Sequence, residues 1–339
     1  MKMNKTMKAA QIDKYSKRIE ASVNEVAIPE IADHQVLIRV KAAAINPLEM
    51  LIMTGSVKLI QDYAFPLTLG NELAGVVEQV GKSVTAFEVG DDVYSRLPIN
   101  QIGAFAAFVV VDASAVARMP RNLSYDEAAT IALTGLTAYQ GLHEELNVKS
   151  GKKVFIPGGS GSFGQMAVPL AKEAGLDVIV SGNTASRDRM RALGASEYVD
   201  YTKQDYVDVV SNVDYVIDTL GPNEFKKELG TLKRGGRLLS LRTGPNKRFA
   251  EDRQFPFWKR KLFALAGAGY DRTAKKYDVE YRFIFVRADG KQLTKITEIV
   301  EQKQIKPVLH PKRFSIDEIN EALNLVATGR PEGKVIVTW

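Results

Sequence analysis

The chain has 339 residues, too many for one ordinary hydrophobic core, so two domains are expected. Its 45% hydrophobic and 25% charged residues are those of a soluble globular protein, and its net charge of +6 is spread along the chain, so no nucleic-acid partner is expected. The lack of cysteine excludes disulfides, thiol nucleophiles, Cys-ligated zinc and iron–sulfur clusters.

The opening MKMNKTMKAAQIDKY is basic but has no apolar core, so no signal peptide is expected and the location reads as cytoplasmic. No apolar run approaches the roughly 18 residues of a membrane span, and no membrane partner is expected. MKMNKT reads as an extension before the first strand. The first third is then β-rich: VLIRVKAAAI, LAGVVEQVG, DDVYSRL and AFAAFVVVDASAV are short Val, Ile and Ala runs between turn residues. At Ser124 the pattern becomes helical in YDEAATIALTGLTAYQGLHEEL, opened by a capping box of Ser124 and Glu127.

Strands then alternate with helices. KKVFIP, DVIVSG, SEYVDY, VDYVIDTL and GRLLSL are the strands, the first four each followed by a helical segment, SRDRMRALG and NEFKKELGTL among them, and the alternation ends near FALAGAGY and YRFIFV. Such alternation predicts a doubly wound parallel sheet covered by helices, an α/β fold. Beyond Asp289 come the helix QLTKITEIVEQ, a second helix opened by Ser315 and Glu318, and a last strand, KVIVTW. The histidines, His34, His143 and His310, are far apart and form no helix-borne metal pair. The densest basic clusters, KRGGR and WKRK, read as solvated surface.

PGGSGSFG, Pro157 to Gly164, follows one strand and opens a helix, with Gly159, Gly161 and Gly164 in G-x-G-x-x-G spacing. The first glycine allows the tight turn, the second lets backbone approach a pyrophosphate, and the third lets helix and strand pack closely. A site for NAD places Asp or Glu at the end of the second strand to hold the ribose 2′-OH. Here that end reads SGNTASR, Ser181 to Arg187, without a carboxylate. Small polar groups and a guanidinium suit a 2′-phosphate, so the expected cofactor is NADPH.

In this order the motifs resemble the zinc-independent quinone oxidoreductases of the medium-chain dehydrogenase/reductase superfamily. AAAINPLEMLIMTG, PLTLGNELAGVVEQVG, FEVGDDVYS, LTGLTAYQGL, GGSGSFG, RALGASEYVDY, DTLG, GGRLLSL and GKVIV carry the likeness along nearly the whole chain. The resemblance implies a Rossmann sheet inserted in a GroES-like β-barrel domain. Residues 1–124 would begin that domain, 125–287 bind NADP, and 288–339 return to complete it. It also implies an active site between the domains and a homodimer joined through the Rossmann sheet.

The same likeness implies hydride transfer from NADPH to a quinone or an α,β-unsaturated carbonyl. Zinc-containing relatives carry Cys and His ligands, whereas Asn71 follows Gly70 here, and no catalytic residue is expected. Ser160, Gly161, Ser162, Phe163 and Gly164 are expected at the pyrophosphate, and Ser181, Asn183, Arg187 and Tyr201 at the adenosine end. Asn46, Thr137, Leu241, Phe285, Val286 and Lys334 are expected near the nicotinamide. Leu51, Ile52 and Met53 stand where some quinone reductases have tyrosines, which suggests an apolar acceptor pocket. Phe255, Phe257 and Trp258, in the unassigned stretch Arg242 to Phe263, read as a lid or as packing at a dimer interface. An NADPH-binding sensor or nucleic-acid-binding protein of the same fold stays open as an alternative; a zinc alcohol dehydrogenase lacks its ligands.

Overall fold

The computed structural model describes residues 6–329 and 331–339, so the first five residues of the expected extension lie outside it and Thr6 opens the first strand. The chain divides into two compact units, Met1–Leu136 with Arg287–Trp339, and Thr137–Val286.

In the first unit the β-branched runs form β1 (Thr6–Ile12), β2 (Ser22–Ala27), β3 (Gln35–Ala44), β4 (Leu67–Thr68), β5 (Glu72–Val80), β6 (Asp92–Arg96), β7 (Phe108–Asp112) and β8 (Val116–Arg118). β3 is central, pairing antiparallel with both β5 and β7. Val36, Leu37, Ile38, Val40 and Ala42 to Ala44 are all buried, so this strand reads as a continuous apolar run rather than an alternating one. Helix α1 (Pro47–Met53) starts where Pro47 fixes the first helical φ and Glu49 accepts the Asn46 N–H at 2.6 Å. The helical segment after Ser124 is broken in two, α2 (Tyr125–Ala128) and α3 (Ala132–Gln140), and α3 carries the chain into the second unit.

The second unit holds β9 (Lys153–Ile156), β10 (Asp177–Gly182), β11 (Glu197–Asp200), β12 (Val213–Asp218), β13 (Leu232–Ser240) and β14 (Glu280–Phe283). They form one parallel sheet in the order β11-β10-β9-β12-β13-β14, the doubly wound arrangement expected from the alternation. Helices α4 (Ser162–Glu173), α5 (Arg187–Ala192), α6 (Phe225–Thr231), α7 (Lys247–Asp252) and α8 (Phe257–Lys276) accompany the strands. Phe155, Ile179, Val199, Val216, Leu229 and Leu238 meet in one of its cores. The helix expected between β11 and β12 is a single 3₁₀ turn, Tyr206–Asp208. Three valines within Val207 to Val210 disfavour helix, and Asn212 takes a left-handed φ of 54° that stops it.

The return segment contributes α9 (Gly290–Gln302), β15 (Phe314–Ser315), α10 (Ile319–Thr328) and β16 (Ile336–Thr338). β16 lies antiparallel to β3, Ile336 opposite Ala44, so the last strand completes the sheet of the first unit.

One contact sets where α4 begins. A Cβ built on Gly164 would lie 1.7 Å from the Gly159 carbonyl oxygen, so the first turn of α4 rests directly on the loop backbone. Gly161, three residues earlier, faces open space, with nothing within 4 Å of its would-be Cβ. Gly164→Ala should therefore lower stability by about 1–3 kcal/mol or more in urea unfolding, and Gly161→Ala by no more than about 0.5 kcal/mol. Equal losses would show that this contact does not position the helix.

Candidate functional site

β9 and β12 lie side by side where the strand order reverses, the place at which a doubly wound sheet leaves a crevice for ligands at its carboxyl ends. The glycine loop fills the turn after β9. Its left-handed residue is Gly158, with φ +63°, one residue before the motif's first glycine; Gly159 packs on Ile156, whose Cγ2 would stand 2.6 Å from a Cβ there. Two neighbouring strands brace the loop: Ser181 accepts the Gly158 N–H at 2.9 Å, and Thr219 donates to the Pro157 carbonyl at 2.7 Å. Ser181 is thus buried under the loop and supports it rather than facing the adenosine. Ser160 is half-buried and Gly161 exposed, while Ser162, Phe163 and Gly164 form the first turn of α4, whose N–H groups have no intrahelical acceptor. The open side of Gly161 is the space a pyrophosphate needs.

At the end of β10 Asn183 caps the next turn, its side-chain oxygen accepting the Ser186 N–H at 3.0 Å. The cap engages that oxygen, which is not the group a phosphate would meet; a phosphate takes the amide NH2. Tyr201 is 59% exposed, its N–H donating to the Gly182 carbonyl at 3.1 Å. Arg187 lies over the Tyr198 ring, 6.0 Å from its centroid, and 3.7 Å from Asp200.

Asp200 and Arg189 were not anticipated. Asp200, at the end of β11, is buried beside the second strand's end, where the sequence offers no acid of its own. Both its oxygens are occupied: Thr184 donates at 2.6 Å, and Thr202 donates through its hydroxyl at 2.7 Å and its N–H at 3.1 Å. These hydroxyls hold its carboxyl down at about 2. Arg189 reaches back to Ser186 at 3.0 Å and to the Ser160 carbonyl in the glycine loop at 3.4 Å. The Nε donors of Arg187 and Arg189 are both buried and lack a partner, as a pair of guanidiniums would be before meeting a phosphate. The residues present therefore fit a 2′-phosphorylated dinucleotide.

Asp218 ends β12 and accepts the Leu220 and Gly221 N–H groups at 2.8 and 2.7 Å, with Ser240 donating to its other oxygen. The Asp218 carbonyl takes the Leu241 N–H at 3.0 Å and so fixes Leu241 just beyond β13. Beneath it Glu228 is buried. Burial, then the neighbouring Asp218 charge, push its carboxyl up to about 9, so it stays protonated against Asp218. Phe285 and Val286 are buried after β14, and Arg253 donates to the Phe285 carbonyl; Thr137 is half-buried on α3. Phe255 packs on Phe249 and Phe263 at 6.0 and 5.4 Å, whereas Phe257 and Trp258 are exposed.

In the first unit Asn46 and Lys334 meet in a buried polar network. Lys334 donates to the Asn46 side-chain oxygen and lies 3.0 Å from Glu72, which also accepts from Asn46 at 2.9 Å and from the Leu133 N–H at 2.7 Å. Asn71 donates to Glu49 at 2.8 Å. Burial raises the Glu49 carboxyl to about 7 despite the Asn71 and Asn46 donors. Ile52 and Met53 belong to the core and only Leu51 is exposed, which corrects the expected apolar trio.

Comparison with known proteins fits this geometry. Residues 193–337 match the family described as "Zinc-binding dehydrogenase", and 32–121 the "Alcohol dehydrogenase GroES-like domain". The chain is 32% identical over 323 residues to a 2-methylene-furan-3-one reductase of Solanum lycopersicum, covering 93% of this chain and 74% of the relative. It is 29% identical, with the same coverage, to an NADPH-dependent alkenal/one oxidoreductase, chloroplastic, of Arabidopsis thaliana. The structure of a quinone oxidoreductase from Coxiella burnetii superposes with a TM-score of 0.81 at 25% identity, covering 99% of this chain and all of the other. The chain belongs to the quinone oxidoreductase group of the medium-chain dehydrogenase/reductase superfamily.

Proposed function

We propose that the protein is an NADPH-dependent oxidoreductase that passes hydride to a quinone or an α,β-unsaturated carbonyl. The observation that carries the cofactor half is the adenosine end: Asp200 is buried with hydroxyl donors on both oxygens, while Arg187 and Arg189 hold buried, unpartnered Nε donors and Arg189 reaches the glycine loop. The names of the relatives, an enone reductase, an NADPH-dependent alkenal/one oxidoreductase and a quinone oxidoreductase, support the acceptor half.

NADPH, when bound, supplies the hydride. The chain's part is to hold the phosphates on the α4 N-terminus and the two guanidiniums, and to fix the backbone around Leu241 through Asp218. Quinones and enones are already electrophilic, so positioning and hydrogen bonding suffice without an acid–base dyad.

The reading includes independence from zinc. Its support is chemical: the chain has no cysteine, Asn71 donates to Glu49, and the Lys334 ammonium beside Glu72 would repel a dication. Among the described residues no group of three or more His, Asp or Glu is placed to hold a metal. A cytoplasmic location and a homodimer are part of the same reading; β14 ends the sheet order and so offers an edge for pairing. Within the first unit the polar atoms of Asn46 and Lys334 are already fixed by Glu72.

Stopped assays of NADPH oxidation with a panel of quinones and 2-alkenals should show acceptor-dependent turnover, and tight NADPH binding without turnover on any acceptor would sink the reading. Arg187→Glu and Arg189→Glu should each weaken NADPH by about tenfold or more while affecting NADH far less. A parallel loss for both coenzymes would remove these guanidiniums from the 2′-phosphate.

Glu49 gives a pH signature. Its folded carboxyl titrates near 7 and its ordinary value is 4.5, so between them the folded state holds a proton that the unfolded state releases. Its contribution to stability is full below about 4.5 and is lost as pH rises through about 7, to the extent of a few kcal/mol at most. Glu49→Gln keeps the shape, and a flip of the Asn71 amide, whose oxygen is buried without a partner, would restore the hydrogen bond. Urea unfolding at about pH 5 and about pH 8 should therefore differ less for the variant than for the parent; an unchanged difference would show Glu49 to be ionised throughout.

A further inference from the structure

The outward face of α8 takes no part in the cofactor site. Its inward face is fixed: Phe263, Gly267 and Ala274 are buried, and a Cβ on Gly267 would lie 2.5 Å from the Asn246 backbone. That leaves Trp258, Leu262, Leu265 and Gly269 along one exposed stripe, at i, i+4, i+7 and i+11. Leu265 is 76% exposed and Trp258 55%, with Phe257 beside them at 66%. The stripe ends in Arg272 and Lys276, at i+14 and i+18, with Lys275 exposed beside it.

The helix carries Lys259, Arg260, Lys261, Arg272, Lys275 and Lys276 against a single acid, Asp271. Two of the lysines lie over the exposed rings, Lys259 at 5.6 Å from Trp258 and Lys261 at 4.5 Å from Phe257, so cation and apolar surface are interleaved. A helix with this composition and this exposure, about 30 Å long, has the pattern of one that lies in the plane of a membrane interface.

We propose that α8 seats the protein on the surface of an anionic phospholipid bilayer. Trp258, Leu262 and Leu265 enter the boundary between headgroups and acyl chains, and the lysines and arginines meet lipid phosphates. Charge favours this occupant over a second copy of the chain, because a two-fold contact through α8 would set one basic helix against another. No helix among the described residues is long and apolar enough to cross a membrane. The expectation of no membrane partner rested on that criterion, which a helix lying in the interface does not have to meet.

The test is flotation of the full chain with vesicles of phosphatidylcholine alone and of phosphatidylcholine with about one-third phosphatidylglycerol, at low salt and at about 0.5 M salt. The expected result is at least roughly tenfold more protein on the anionic vesicles, lost at high salt, with Trp258 emission shifted to the blue on binding. Leu265→Glu and, separately, Lys259→Gln with Lys261→Gln should each reduce that binding about tenfold, with NADPH oxidation and sedimented mass unchanged. Leu265 is too exposed for its substitution to disturb the core, and retained NADPH oxidation reports a folded variant. Equal recovery on both vesicle types, binding by the variants as tight as the parent's, or a fall in mass when Leu265 is replaced would each overturn the proposal. The last of these would assign the face to a second copy.

Discussion

The missing side chain at Gly164 is the constraint on which the site depends. With no Cβ there, the α4 N-terminus closes onto the Gly159 carbonyl, and its N–H groups and positive dipole end are aimed at the space beside Gly161. Every other part of the cofactor cradle is arranged around that fixed end. Ser181 and Thr219 hold the loop from the flanking strands, Gly158 supplies the left-handed turn, and Arg189 reaches back to Ser160 from the following helix. A loop braced on three sides keeps its donors in place before any ligand arrives, so little ordering remains when phosphate binds.

The buried carboxyls show how differently one chain treats the same chemical group. Asp200 is kept ionised by hydroxyl and N–H donors, and its charge then holds Arg187 over Tyr198. Glu72 is matched by the Lys334 ammonium. Glu228, given no cation, is left protonated against Asp218, which removes what would otherwise be two like charges at the end of β12. Glu49 falls between, with donors too few to offset its burial. Donor supply, not burial alone, decides whether each acid carries charge, and at the adenosine end Arg187, Arg189 and Lys203 outnumber the one ionised Asp200 beside them.

Much of this was legible in the sequence because it depends on local rules. The strand and helix alternation predicted the sheet, the glycine spacing predicted a loop opening α4, and the capping boxes at Ser124 and Ser315 are present. Asp200 was invisible for a topological reason: it is near Arg187 only because β11 pairs beside β10, which no spacing along the chain encodes. Arg189 had a weak signal, a second arginine two residues after the first, but its backward reach depends on how the short α5 meets Ser186. Ser181 was the right kind of residue in the right stretch, yet it braces Gly158 across the sheet, a contact that no spacing along the chain encodes, while Asn183 caps the next turn through its oxygen. The helix expected before β12 failed because valine-rich sequence and Asn212 outweighed a pattern read from alternation alone.

Segment 242–276 shows where local consistency breaks down and why that is informative. Elsewhere in the second unit exposed large apolar residues such as Val207, Val209 and Leu220 sit in turns and loops, and Phe249, Phe255, Phe263 and Phe283 pack edge-on or tilted in one aromatic cluster. The inner face of α8 packs likewise through Phe263 and Gly267. Its outer face departs from this, with large apolar side chains left in water at helical spacing and set among lysines. Single exposed leucines are ordinary on protein surfaces, but a spaced stripe on a helix whose rotation is already fixed by Gly267 against Asn246 is not a by-product of packing. Repacking cannot turn that stripe inward without losing the Gly267 contact, so the exposed face is a property of the fold, and the excess of cations on the same helix sets the sign of the surface that would cover it.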